Sequence, residues 1–275
     1  MFKSDEEGEN GTNISRAASR RDFLKWSSAG VLTAFAFGAL GVESLRAEHA
    51  FLGLPIEPAR QGAVDLGKGD FGVLNYAYAL EQLEAAFYTQ AVSTPYSGMS
   101  LAEREILTDI RDHEIAHREF FKAALGKNAI PGLQVNFTTI NFNSRDSVLG
   151  TAKTFEDLGV SAYNGAGQLL KNGDFLLMAG KIVSVEARHA ATIRDLLMPM
   201  SASFAGDDVV DPATGLDMAR MPSEVLAAAG PFVRTPIKAK NLMKMEAMSK
   251  KNMMKDMKDM KDMKNKKDNM RGNNE

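Results

Sequence analysis

Two Glu-x-x-His motifs in one chain constrain its fold more than any other feature. They are Glu114/His117 and Glu186/His189, and they lie 72 residues apart. Residues three apart share a face of a helix, so each motif points one carboxylate and one imidazole the same way. Each motif also follows an isolated glutamate that has a tyrosine seven positions later. These pairs are Glu81 with Tyr88 and Glu156 with Tyr163.

The two halves of this pattern resemble copies of one unit. The matching segments are Leu80-Glu81-Gln82-Leu83 and Phe155-Glu156-Asp157-Leu158. In this register Glu84 has no counterpart, because Gly159 stands at the corresponding position. The repeat therefore selects Glu81, rather than Glu84, as the candidate ligand of the first half.

Apolar residues at helical spacing predict four helices, which cover residues 71–92, 100–126, 149–170 and 179–197. Ser100 is a predicted N-cap, and Gly126 is a predicted stop. In each helix a glutamate stands where a bundle would place an apolar core residue. Burying a carboxylate is costly unless a cation or another partner neutralises it. The pattern thus predicts an all-α bundle with an acidic interior.

The predicted links between these helices indicate how the bundle is connected. Residues 127–146 read as extended chain, and such a long crossover lets the second and third helices run parallel. The short links 93–99 and 171–174 suit antiparallel pairs. Beyond Pro199, which ends the fourth helix, we expect an irregular extension with one short helix.

Such a bundle would bring four carboxylates and two imidazoles to one point, which is the ligand set of a dinuclear metal site. The candidates are Glu81, Glu114, His117, Glu156, Glu186 and His189. An inert bundle held by buried ion pairs is the alternative, but it would leave uncompensated negative charge. No Lys or Arg lies on the predicted inner faces, whereas two divalent cations balance four carboxylates. Because the chain has no cysteine, its donors are oxygen and nitrogen, which suit iron or manganese.

One of the motifs also fits a different kind of site. His113-Glu114-Ile115-Ala116-His117 is a literal His-Glu-x-x-His, as in the zinc helix of metalloproteases. A zinc protease would leave Glu81, Glu156 and the second Glu-x-x-His without a role, so the dinuclear site is favoured. Replacing His113 distinguishes the two, because only the protease would need it as a ligand.

Tyr88 and Tyr163 allow three interpretations. They could fill the core by ordinary packing, donate hydrogen bonds to the ligands, or carry radicals and electrons. Packing is the favoured interpretation from the sequence alone.

The N-terminus resembles a twin-arginine export signal. Its motif is Ser19-Arg20-Arg21-Asp22-Phe23-Leu24-Lys25. The apolar stretch 29–42 is too short for a stable membrane span, and Leu45-Arg46-Ala47 suits cleavage. A basic amphipathic helix on a membrane surface is the alternative. We expect residues 1–47 to be removed, with the twin-arginine export machinery as a partner and a periplasmic or extracellular location.

The remaining chain divides into a linker (48–69), the bundle (70–199), an extension packed on it (200–237) and a tail (238–275). The tail carries Lys-Asp-Met repeats and twelve Lys or Arg against six acidic residues. Thioether binding of copper(I) is one interpretation, and a charged, disordered or partly helical tail is the favoured one. The whole chain has a net charge of −2, which argues against nucleic acid as a partner.

Several segments are similar to the bacterial secreted ferritin-like domain family, which includes plant desiccation-related proteins. They are Leu74-Asn75-Tyr76-Ala77, residues 80–88, Asp112-His113-Glu114-Ile115-Ala116-His117, residues 156–163, residues 186–191 and residues 223–232. The likeness covers about residues 70–235. It implies a ferritin-like four-helix bundle. By analogy with ferritins, rubrerythrins and manganese catalases, it also implies that the six candidate residues hold two metal ions.

The sequence therefore predicts an exported dimetal-carboxylate protein. The expected cofactor is two iron ions, with two manganese ions as the alternative. With iron the protein would oxidise Fe(II) or reduce dioxygen or peroxide, and with manganese it would disproportionate hydrogen peroxide. A non-enzymatic metal-binding or stress-protection module is a further alternative. Homo-oligomerisation stays open.

Overall fold

Six helices and one pair of short strands make up the described part of the chain, residues 62–272 of a computed structural model. Side chains are described as far as Met263. The predicted export signal and cleavage site, and most of the predicted linker, lie outside these residues. The elements are β1 (Val64–Asp65), α1 (Gly69–Ser93), α2 (Leu101–Leu125), α3 (Arg145–Gly167), α4 (Gly173–Leu197), α5 (Pro222–Ala229), β2 (Ile237–Lys238) and α6 (Lys240–Gly272).

The four long helices form a bundle with a long crossover, which confirms the predicted fold class. α1 packs mainly against α2, and α3 mainly against α4. Each pair therefore contains one copy of the sequence repeat. A single 3-10 turn, Gly126–Asn128, and the irregular residues 129–144 connect the two pairs. None of the helices in residues 62–272 combines the length and the apolarity that crossing a bilayer requires.

Local sequence signals fix the ends of the helices. The Ser100 hydroxyl accepts a hydrogen bond from the Glu103 amide at 3.1 Å, and the Glu103 carboxylate accepts one from the Ser100 amide at 2.9 Å. This capping box begins α2 where the sequence predicts it. The helix ends before Gly126, whose φ of +52° is in the left-handed range that favours glycine. Asn172 caps α4 by accepting from the Asp174 amide at 2.8 Å.

α1 is the central helix of the molecule. Eighteen of its 25 residues are buried, because it is apolar on nearly all sides and has neighbours on nearly all sides. Leu80 and Leu83 line a cavity together with Leu226 and Ile237 of the C-terminal extension. The opposite side of α1 is thereby free to carry polar groups into the bundle.

The C-terminal extension is tied to the bundle at several points. The Arg220 amide donates to the Ser161 carbonyl at 2.9 Å, and there the extension passes so close to Gly165 that only a glycine fits. β2 pairs in parallel with β1, with Val64 opposite Ile237. The first contact holds the irregular segment after α4 against α3, and the second joins the end of the extension to the residues before α1.

The helix α6 is anchored by its first two turns. Leu242 is 1% exposed, and the buried Glu246 carboxylate accepts hydrogen bonds from the Ser223 amide at 3.0 Å and the Ser223 hydroxyl at 2.7 Å. The folded part thus continues past β2. Residues 251–263, with most of the Lys-Asp-Met repeats, form a helix whose side chains are all exposed.

Candidate metal centre

The bundle brings all six predicted ligand residues together at its centre. Their donor atoms form two groups of four, and within each group the atoms lie within 4.8 Å of one another. The His117 subsite consists of Glu81, Glu114, His117 and Glu186, and the His189 subsite consists of Glu114, Glu156, Glu186 and His189. Glu114 and Glu186 belong to both groups, so they stand between the two subsites.

Each long helix supplies the polar side chains that the sequence predicts at its core positions. α1 and α3 contribute Glu81 and Glu156, while α2 and α4 contribute the two Glu-x-x-His motifs. The four carboxylates are fully or almost fully buried, and the His117 side chain is 12% exposed. The centre therefore lies inside the bundle, with His117 nearest to solvent among its six members.

In both histidines the Nδ1 atom faces the carboxylates. His117 Nδ1 lies 2.8 Å from Glu186 Oε1 and 3.5 Å from Glu81 Oε2. His189 Nδ1 lies 2.9 Å from Glu114 Oε1 and 3.4 Å from Glu156 Oε2. Nδ1 is thus the nitrogen that each histidine directs towards the carboxylates.

A pair of cations fits this set of atoms. Eight of the converging atoms are buried and have no partner in hydrogen-bonding geometry among the described residues: Glu81 Oε2, both Glu114 oxygens, His117 Nδ1, Glu156 Oε2, both Glu186 oxygens and His189 Nδ1. Leaving one buried polar atom unsatisfied costs about 1–3 kcal/mol, and more when it is charged. Carboxylate oxygens and imidazole nitrogens are the donors that iron and manganese accept. The arrangement is therefore costly without bound cations and suited to them.

When no cation is bound, protons on the imidazoles offset part of the negative charge. Burial lowers the pKa of His189, but the surrounding carboxylates raise it to about 12. The same balance raises the pKa of His117 well above its usual range. Burial raises the pKa of Glu156 to about 7, although His189 opposes the shift. Burial also acts to raise the pKa of Glu186, but its contacts with both imidazoles lower it to about 2.

The two tyrosines of the repeat reach across the bundle to the glutamates of the other half. The Tyr88 hydroxyl donates to Glu156 Oε1 at 2.5 Å, and the Tyr163 hydroxyl donates to Glu81 Oε1. Each hydrogen bond fixes one oxygen of a carboxylate whose other oxygen points into a subsite. Packing, the interpretation favoured from the sequence, does not account for these bonds.

Glu84 is a further buried carboxylate beside the centre that the repeat did not select. It is 5% exposed, and burial together with the carboxylates of Glu114 and Glu156 raises its pKa well above the usual range. A Cβ at Gly159 would lie 3.3 Å from Glu84 Oε1, so the missing side chain at 159 makes room for it. Gly159 corresponds to Glu84 in the sequence repeat, so this glycine is the sequence feature that could have indicated the contact.

Two more polar side chains on α2 and α4 lie outside both subsites. His113 Nδ1 is 2.9 Å from His189 Nε2, so His113 contacts a candidate ligand instead of joining the converging atoms. Arg194 is 2% exposed, but its guanidinium is paired with Asp157 at 2.7 Å and with Asp208 at 2.7 Å. Arg194 therefore neutralises these aspartates and leaves the charge of the centre unbalanced.

Comparison with known protein families identifies the bundle. The family whose description is ferritin-like domain matches residues 69–199, the range that contains α1–α4 and all six candidate ligands. A search of curated proteins gives no match.

Proposed function

Residues 69–199 are a ferritin-like domain, and we propose that this domain holds two transition-metal ions and uses them in redox chemistry with small oxygen species. The cofactor in this proposal is a pair of iron ions, and the reaction is oxidation of Fe(II) with reduction of dioxygen or peroxide. The observation that carries the proposal is the pair of four-residue groups with two shared carboxylates.

The sharing of ligands assigns a role to each residue. Glu81 and Glu156 belong to one subsite each and would be terminal ligands. Glu114 and Glu186 belong to both subsites and would hold both ions. His117 and His189 would each bind one ion through Nδ1. Four carboxylates then balance the charge of two divalent cations.

The protein environment prepares this site for two-electron chemistry. Two redox-active ions held side by side supply or accept two electrons together. The tyrosine hydroxyls hold the terminal carboxylates in place, so their free oxygens keep facing the subsites. Burial of the carboxylates limits the access of bulk water.

Peroxide disproportionation by a manganese pair is the second candidate function. The donor set favours it as much as iron, because both ions accept carboxylate and imidazole ligands and the chain contains no thiolate that would select a softer metal. Activity assays distinguish the two functions, since manganese disproportionation requires peroxide alone, whereas the iron reaction also consumes Fe(II).

Export by the twin-arginine route is part of the proposal. The twin-arginine motif at residues 19–25 supports this route. Proteins on this route are carried in the folded state. Loading the metal before export would protect the centre from copper and zinc, which bind most such sites more strongly. The resemblance of the sequence to secreted ferritin-like and plant desiccation-related proteins supports a role in oxidative or metal stress.

Metal analysis followed by oxygen and peroxide assays tests the proposed function. The full chain, purified without chelator, should contain two iron or manganese ions, and Glu114→Gln should reduce this number because it alters both subsites. Glu105→Gln is the matched control, since Glu105 is an exposed glutamate on the same helix. Less than one transition-metal ion per chain, together with no rise in melting temperature when iron or manganese is added, would overturn the proposal. Two bound ions without either activity would leave a metal-binding module.

A further inference from the structure

The two subsites differ in what holds their histidines. His189 Nε2, the ring nitrogen that faces away from the carboxylates, lies 2.9 Å from His113 Nδ1. The two rings are nearly parallel, with an interplanar angle of 9° and centroids 5.1 Å apart. His113 belongs to α2 and His189 to α4, so this contact links the two motif-bearing helices beside the centre.

The His117 subsite lacks the corresponding contact. Val185 stands immediately before Glu186, as His113 stands immediately before Glu114, so the repeat places a valine at the equivalent position. Among the described residues, none forms a hydrogen bond with His117 Nε2, and the His117 side chain is 12% exposed. The two halves of the repeat thus carry the same types of candidate ligand, but only His189 is contacted by a further histidine.

We propose that His113 is a positioning residue that makes the His189 subsite the tighter of the two, so that the metal ions load in order. This inference rests on the proposed dimetal function. An imidazole that binds an ion through Nδ1 must carry its proton on Nε2. His113 Nδ1 accepts that proton in a hydrogen bond, which fixes the ring orientation before an ion arrives and keeps the proton on Nε2 when Nδ1 gives up its own. His117 must adopt the same tautomer and orientation without such a partner.

The contact with His189 also distinguishes His113 from the six candidate ligands. Its Nδ1 is engaged with His189, and it is not a member of either group of converging atoms. We therefore infer that it acts on an ion through His189. Loss of such a supporting hydrogen bond typically weakens metal affinity about 10–100-fold.

Stepwise metal titration of the metal-free full chain tests the inference. Co(II), followed by its visible absorption, and Mn(II), followed by its electron paramagnetic resonance, report binding without any turnover. The wild type should bind two ions in two separate steps. His113→Phe, which retains a ring but removes the acceptor, should weaken the first step about 10–100-fold and leave the second unchanged. The two binding steps should then occur at similar ion concentrations.

Two further variants make the outcome specific. His113→Asn places an oxygen acceptor near the position of Nδ1 and should restore most of the separation between the steps. Val185→Ala, at the equivalent position of the other half, should leave both steps as in the wild type. Circular dichroism of the metal-free variants checks that each is folded.

Each result has a defined meaning. A single affinity for both ions in the wild type, or an unchanged first step in His113→Phe, would overturn the role of His113 while leaving the dimetal function intact. Binding of less than one ion by the wild type would instead refute the dimetal function itself. An equal loss of affinity in His113→Phe and Val185→Ala would show a general packing effect and would also overturn the inference.

Discussion

At the scale of single residues, metal binding at the proposed centre would replace the positive charge of protons with that of metal ions. When no ion is bound, both imidazoles hold protons because several carboxylates surround them. Metal ions require the imidazoles in their neutral form. In the proposed centre, binding of the ions would therefore be coupled to release of these protons, because the same carboxylates attract both kinds of charge.

This coupling predicts that metal binding releases protons. Because the pKa of His189 is about 12 and that of His117 lies well above its usual range, both are protonated at neutral pH. Each ion should then displace one imidazole proton, and an ion bound by Glu156 should also displace carboxyl protons below about pH 7. The apparent affinity should therefore rise by a factor of about ten or more per ion for each pH unit between pH 6 and 8. Titration calorimetry in two buffers of different ionisation enthalpy measures the released protons. A binding heat that does not depend on the buffer would contradict the prediction.

Glu84 provides a second prediction at this scale, for the metal-free protein. Its raised pKa means that the folded state binds a proton that the unfolded state loses above about pH 4.3. As the pH rises from about 4.3 towards the folded-state pKa of Glu84, the free energy of unfolding of the wild type should therefore fall by about 1.4 kcal/mol per pH unit. Glu84→Gln resembles the protonated acid and avoids this loss, so it should be the more stable protein at pH 7 and nearly equal at pH 4.

Urea denaturation at both pH values measures this difference. Glu105→Gln, at an exposed position of α2, should follow the wild type at each pH. If Glu84→Gln were less stable than the wild type at pH 7, the carboxyl group would be ionised or would make a contact that the amide cannot replace.

At the scale of elements, the C-terminal extension lies so close to α3 that it restricts which residue fits at position 165. A side chain at Gly165 would place its Cβ 1.9 Å from the Arg220 carbonyl oxygen, which is part of the backbone and cannot rotate away. Gly150, on the same helix, has no atom within 4 Å of the equivalent Cβ position. The same substitution should therefore have opposite effects at the two sites.

Gly165→Ala should destabilise the protein by about 1–3 kcal/mol or more, because the extension must move away from α3. Gly150→Ala should stabilise it by about 0.5–1 kcal/mol, because alanine restricts the unfolded chain and favours the helix. Chemical denaturation of the two variants measures both effects. Equal changes in the free energy of unfolding would show that the extension does not constrain α3.

At the scale of the whole molecule, bound ions should contribute directly to stability, because the unfolded chain does not hold the six ligands together. An ion at 100 times its dissociation constant should add about 2.7 kcal/mol to the free energy of unfolding. Thermal melting with Mn(II), with chelator, and with Mn(II) added to Glu114→Gln measures this contribution. The variant should gain much less than the wild type, and an equal gain would place the stabilising ions elsewhere.

The sequence predicted the parts of this molecule that depend on periodicity and failed on those that depend on tertiary contacts. The helices, the crossover and the residues that come together at the centre all follow from spacing along the chain. The crossed pairing of Tyr88 with Glu156 does not, because it depends on which faces of α1 and α3 oppose each other. The contact of His113 with His189 and the burial of Glu84 also arise only when distant helices pack.

The parallel pairing of β1 with β2 has a mechanical consequence. The chain arrives at the first residue of β1 and departs from the last residue of β2, and the two strands are joined by amide-to-carbonyl bonds at 2.8 Å and 3.0 Å. Tension between the flanking segments therefore acts along the strands and loads these bonds together, in shear. Separating the two strands by such tension would require both bonds to break together.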